Sequence, residues 1–246
     1  MAELALAAGA VFAAAFAQGA IGFGSGLISL ALLTLIWEVQ QVVAITAAFS
    51  IVMCGYFIWH LWAHISLREI RLLLLGAAAG VPLGVTALTT LDPRWIKGGL
   101  GVFLTVYALS SLRARRPSTS LISPRWAVPT GFFSGLLSGA FNTGGPPMVL
   151  YGTERRWTPH AFRGNIQAYF LPVSTLTLIM LADRGVVTGT TLMVNLKLLP
   201  FLVLGMVVGD RLANRIEEAL FRKILLYSLL VMGLNFVRAF WDAPPA

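Results

Sequence analysis

The chain has 246 residues, of which 57% are hydrophobic and 11% charged, with a net charge of +8 and a mean hydropathy of +0.80. A soluble domain carries about 25% charged residues, so this composition excludes a soluble fold and identifies an all-α polytopic membrane protein. The basic residues are scattered between apolar runs rather than gathered on one surface, which excludes nucleic acid as a partner.

The N-terminal MAELALAAGA carries an acid at Glu3 and no basic region, so it is expected to belong to the mature protein rather than to a cleaved signal. Apolar segments then recur at about 4–37, 41–62, 70–90, 95–112, 127–151, 164–182, 187–209 and 220–240, about eight in all. Each is close to, or longer than, the roughly 20 residues a bilayer crossing needs. The polar stretch Leu112 to Trp126 divides them into an N-terminal repeat over 1–112, a linker over 113–126 and a C-terminal repeat over 127–246.

Weak internal symmetry supports that division. Gly19 to Gly26 aligns with Gly139 to Pro146 at an offset of 120, and Gly80 and Gly84 align with Gly205 and Gly209 at an offset of 125. For these last four glycines close helix packing is the favoured reading.

The first segment of each half contains residues ill suited to a helix. Gly22-Phe23-Gly24-Ser25-Gly26 interrupts the first, and Asn142-Thr143-Gly144-Gly145-Pro146-Pro147 interrupts the second. Gly22 to Gly26 follows no strand, so it is not a nucleotide loop. As one straight helix, 4–37 would be about 50 Å long against a hydrocarbon core of about 30 Å.

Charge arbitrates between topologies. If all eight segments cross, 8 basic residues fall on the side of the N-terminus and 9 on the other. If the first segment of each half breaks and returns, 13 fall on one side and 4, namely Arg94, Lys97, Arg184 and Arg238, on the other. The positive-inside rule favours the second arrangement. It predicts two inverted four-segment repeats, each with a broken or re-entrant first segment, with the linker cytoplasmic and both termini outside.

Backbone that is not helical is tolerated at membrane depth only when buried in protein or lining a wet cavity. The breaks are therefore expected to face each other, with new half-helices starting at about Leu27 and at Pro147. Free N-H groups and the positive dipole ends would make a site for a small anion. Its expected ligands are Gly22, Gly24, Ser25, Gly26, Asn142, Thr143, Gly144 and Gly145.

Other polar residues inside the apolar runs are Asn165, Gln167, Asn195 and Lys197, a secondary set expected to face the protein interior. Lys197 could serve as counter-charge or snorkel outward, and for Arg163 an orienting role outweighs one on substrate. His60 and His64 share a helix face without a third ligand, and Trp59 and Trp62 beside them suggest an interfacial belt, so no metal is expected. Cys54 reads as a packed thiol. Asp92, Asp183, Asp210, Glu217 and Glu218 sit at span ends, which disfavours an intramembrane enzyme.

With its repeated set of four segments, each opening on a glycine-rich break, the chain resembles the sulfite exporter TauE/SafE family of membrane transporters. The resemblance rests on Gly19 to Leu27, on Gly139 to Pro147 and on the Gly205 to Lys223 region with its GDRLANRIEEALFRK ending. The family usually has consecutive glycines and then a proline in its first break, whereas here Phe23 and Ser25 interrupt the run.

The resemblance implies a bacterial inner-membrane carrier of sulfite or organosulfonates, without a cofactor and with a small anion and the lipid bilayer as partners. A homodimer is an open alternative. The expected mechanism is alternating access; an anion channel and a structural or assembly protein are the competing readings.

Overall fold

The computed structural model describes residues 2–113, 122–213 and 218–242. Ten α-helices account for nearly all of them: α1 (Ala2–Ile21), α2 (Ser25–Leu33), α3 (Val39–Leu61), α4 (Leu67–Thr90), α5 (Pro93–Arg113), α6 (Ala127–Phe141), α7 (Gly145–Glu154), α8 (Pro159–Asp183), α9 (Gly189–Leu212) and α10 (Glu218–Asp242). No strand occurs among the described residues. Most of the linker, 114–121, lies outside them.

Six of the helices, α1, α3, α4, α5, α8 and α9, are long and apolar enough to cross a membrane, so the chain is a multi-pass membrane protein. Several helices start two to five residues earlier than their apolar runs, because capping residues are polar. Thr158 accepts a hydrogen bond from the Ala161 N-H and places Pro159 in the first turn of α8. Thr188 and Thr191 form a reciprocal cap at the start of α9.

Small residues fix which helices meet. Along α4, Gly76, Gly80 and Gly84 lie against the backbone of α6 at Val128, Phe132 and Leu136, and Gly131, Gly135 and Gly139 of α6 lie against Leu73, Ala77 and Val81. Residue numbers rise together on both helices, so α4 and α6 run parallel. The same relation joins α9 to α1: Gly205 and Gly209 rest on the carbonyls of Phe12 and Phe16, and Gly19 rests on Met206 and Asp210. Any side chain at these glycines would occupy space already held by backbone, so the reading of Gly80, Gly84, Gly205 and Gly209 as packing residues agrees with the structure.

The remaining main pairings are α3 with α8 and α5 with α10. Exchanging the first five helices for the last five turns the α4–α6 pair into the α9–α1 pair and leaves the other two pairings unchanged.

Polar ties define the two ends of the bundle. At the end where α4 begins, Glu69 forms an ion pair with Arg155, which follows α7, and accepts a hydrogen bond of 3.1 Å from the Tyr151 hydroxyl. α7 therefore returns to the end from which α6 set out. Where α4 finishes, Arg184 donates to Thr89 Oγ1 at 2.8 Å, Gln40 donates to the Leu88 carbonyl at 2.9 Å, and Lys97 pairs with Glu38 at 3.2 Å. Arg94 also donates to the Phe240 carbonyl at 3.0 Å there, which brings the last turn of α10 to the same end. Because α1 runs parallel to α9, which starts beside Arg184, α1 begins at that end as well.

α1 alone has 20 residues, about 30 Å at the helical rise. The first break thus lies well past the middle of the bundle.

Candidate functional site: two helix breaks around one pocket

Both interruptions are made by left-handed residues at equivalent positions. Gly22 ends α1 with φ 92° and its N-H donates to the Gln18 carbonyl at 2.7 Å; Asn142 ends α6 with φ 52° and donates to the Ser138 carbonyl at 2.7 Å. Glycine adopts this conformation freely, and asparagine tolerates it better than other residues. Gly24, with φ 103°, then turns the chain into α2. The new helices begin at Ser25 and Gly145, two residues earlier than the expected Leu27 and Pro147, because glycine and serine suffice to open a first turn.

The two breaks close on each other. A Cβ on Gly26 would fall on the Asn142 carbonyl. Around this contact lies a small pocket, lined by Phe23, Gly24, Ser25, Gly26 and Leu27 from one break and Asn142, Thr143 and Gly145 from the other, with Gln18, Ser50, Cys54 and Phe170 completing the wall.

A buried frame holds the first break open. Gln18 Oε1 accepts from the Ser25 hydroxyl at 2.8 Å and from the Ser25 N-H at 3.3 Å, while Gln18 Nε2 donates to Gln167 Oε1 at 3.2 Å. Gln167 Nε2 donates in turn to the Gly22 carbonyl at 2.8 Å, and its Oε1 accepts from the Cys54 thiol at 3.2 Å. Gln18 and Gln167 are 5% and 0% exposed, so each fixed amide dipole is shielded from water.

The two helix ends differ in what they offer a ligand. Ser25 is committed to Gln18, but the next two N-H groups of α2, on Gly26 and Leu27, have no acceptor among the described residues. In α7 the second and third positions are Pro146 and Pro147, which carry no N-H. The second break contributes a side chain instead. Thr143, 2% exposed, lines the pocket, and its buried hydroxyl has no hydrogen-bond partner.

The remaining sequence-derived residues are distributed unevenly. Asn142 lines the pocket but spends its amide on Ser50 Oγ at 3.1 Å. Gly22 stands behind the wall against Arg163, and Gly144 is packed on Ser134 and Ser138, with its carbonyl accepting from Ser134 Oγ at 2.7 Å. Asn165 accepts from the Ser66 N-H at 2.7 Å and so ties α8 to the start of α4, away from the pocket. Asn195 and Lys197 lie on α9 and take no part in the lining; Lys197 is exposed on the outer face.

Gln18, Ser50, Cys54 and Phe170 were missed by the sequence reading. Gln18 carried a signal, a glutamine one turn before a helix-ending glycine. Ser50 and Cys54 carried none, because only packing aims them inward.

His64 has a neighbour the sequence did not suggest, with its ring 5.1 Å from that of His160. Among the described residues no three His, Cys, Asp or Glu side chains converge on a metal-sized space. Trp59 and Trp62 are 84% and 67% exposed, as an interfacial belt requires.

A multi-pass helical bundle whose two helix breaks share a donor-lined pocket has the features of a membrane transporter. The chain belongs to the sulfite exporter TauE/SafE family, whose model matches residues 6–236.

Among curated relatives, it is 28% identical over 177 residues to the "Probable inner membrane transporter protein TsaS" of Comamonas testosteroni, covering 71% of this chain and 73% of that protein. It is 22% identical over 230 residues to the "Probable sulfite/organosulfonate exporter TauE" of Cupriavidus necator, covering 92% and 90%. No solved structure matches significantly.

Proposed function

We propose that the protein is a secondary transporter that moves sulfite or a small organosulfonate across the bacterial inner membrane by alternating access, with the anion held between the two breaks. The observation that carries this reading is that Thr143, whose hydroxyl is unpartnered, lines the same pocket as Gly26 and Leu27, whose N-H groups are uncommitted. Neutral donors and a helix dipole bind an anion without a counter-charge that would trap it. The name of the Cupriavidus necator relative supports the substrate class, and that of the Comamonas testosteroni relative supports an inner-membrane transporter.

In this reading residues 1–112 and 127–246 are two inverted repeats joined by a cytoplasmic linker, and the first segment of each enters and returns. Support comes from the Arg155–Glu69 and Lys97–Glu38 pairs, which sit at opposite ends of the bundle where the two hairpins open. The end bearing Arg68, Arg71, Arg155 and Arg156 is cytoplasmic by the positive-inside rule, which leaves both termini outside.

The test is flux of labelled sulfite, sulfate and small sulfonates into proteoliposomes, with and without Asn142→Leu. Sulfite or sulfonate flux that the substitution abolishes is expected. No flux for any anion would favour a structural role, and flux untouched by the substitution would move the site elsewhere.

A further inference from the structure

One helical turn from the pocket, toward the end where α4 begins, the same three helices that form its wall are clamped by a charged cluster. On α8, Gln167 is followed one turn nearer that end by Arg163; on α3, Cys54 is followed by Tyr56 and Phe57; on α1, Gln18 is followed by Gly19. Arg163 Nη2 donates to the Gly19 carbonyl and to Asp210 Oδ1 of α9, both at 2.8 Å. Tyr56 donates to Asp210 Oδ2 at 3.3 Å, and the guanidinium lies 5.3 Å from the centre of the Phe57 ring. The stem of Arg163 lies against Gly22, where a Cβ would be 2.6 Å from Cγ.

The Arg163–Asp210 pair is not repeated at the equivalent positions of the first half. α3 and α8 start at Val39 and Pro159, an offset of 120, so Val43 stands where Arg163 does; at the offset of 125 Val85 stands where Asp210 does. Both valines are fully buried. The positions equivalent to the ion pair are therefore aliphatic.

The ion pair is also incompletely satisfied. Arg163 Nε is buried and has no hydrogen-bond partner, although a guanidinium presents Nε and Nη together as a fork suited to an oxyanion. Asp210 occupies only one prong.

We propose that the Arg163–Asp210 pair is the barrier between the pocket and the end at which α4 begins, and that a permeating oxyanion passes it by taking the Nε and Nη donors of Arg163 in place of Asp210. The identity of the passing anion rests on the transport reading above; the barrier itself does not.

Cys54 is the single cysteine of the chain, is fully buried and lines the pocket, so it reports opening without engineering. The experiment measures its labelling by a membrane-impermeant maleimide in right-side-out and inside-out membrane vesicles, in buffer free of sulfite, which would consume the reagent. Asp210→Asn and Arg163→Gln are expected to raise the rate about tenfold from the α4-start face only, the factor set by one charged hydrogen bond. Arg184→Gln, which cuts a polar tie at the other end, leaves the rate from that face unchanged.

Arg163→Lys keeps the charge without the fork and gives an intermediate rate, which provides a reading should the neutral variants fail to fold. An unchanged rate in folded Asp210→Asn, or an equal rise in Arg184→Gln, overturns the proposal. Because no anion is present, these outcomes are independent of whether Thr143 binds the substrate; sulfite flux through Arg163→Lys, expected to fall severalfold, tests the exchange step, and unaltered flux removes it.

Discussion

Thr143→Val gives a prediction in which stability and binding move in opposite directions. The two side chains are nearly isosteric, so the change replaces one hydroxyl by a methyl at a site that is 2% exposed. In the free protein that hydroxyl has no partner, and a buried, unsatisfied hydroxyl costs about 1–3 kcal/mol in protein mutational data. Valine should therefore leave the anion-free protein as stable as before or more stable by about 1 kcal/mol.

In the proposed complex the same hydroxyl donates to a charged acceptor, a bond of about 1.5–3 kcal/mol. Its loss weakens sulfite binding about 10- to 150-fold. Thermal denaturation of the purified protein over a sulfite titration measures both quantities at once, since bound ligand raises Tm through mass action. Thr143→Ser should retain the binding. A lower Tm without sulfite, or an unchanged sulfite Kd in Thr143→Val, would refute the assignment of this hydroxyl to the ligand.

Asn142 tests the break itself. Asn142→Gly keeps the left-handed turn and loses only the bond to Ser50, so the protein should fold and transport with reduced rate, whereas Asn142→Leu adds about 1–2 kcal/mol of backbone strain and should lose flux; equal behaviour of the two in the flux assay would contradict this. Gly84→Ala forces a Cβ onto the α6 backbone at Leu136 and should destabilise by about 1–3 kcal/mol, while Gly9→Ala, with nothing within 4 Å, should be neutral or mildly stabilising, as read by thermal unfolding. In a Cys54→Ser background, a cysteine at the exposed Gln41 should react only from outside the cell, and labelling from the cytoplasm would sink the inverted arrangement.

Much of the architecture was legible because it depends on local chemistry. Glycine and proline clusters break helices wherever they occur, so the interruptions at Gly22 to Gly24 and Asn142 to Gly144 are legible directly, and glycines four apart mark packing faces on α4 and α9, though not the helices they meet. The offset of 120 even anticipated that Gly22 and Asn142 would terminate their helices in the same way. The half-helices start two residues before the expected Leu27 and Pro147, because serine and glycine already open their first turns.

What the sequence could not decide was which side chains would keep free donors. Ser25, Asn142 and Thr143 looked alike as polar residues at a break, yet Gln18 takes the first, Ser50 takes the second, and only the third is left unpartnered. Asp210 looked like one more acid at a span end until α1, α3 and α8 packed around it. Hydrophobic runs, breaks and charge asymmetry are properties of neighbouring residues and follow from the chain alone. A pocket is assembled and framed by residues far apart in the chain, such as Gln18 and Gln167, which are separated by 149 residues, and its chemistry exists only after packing has decided which polar groups satisfy one another.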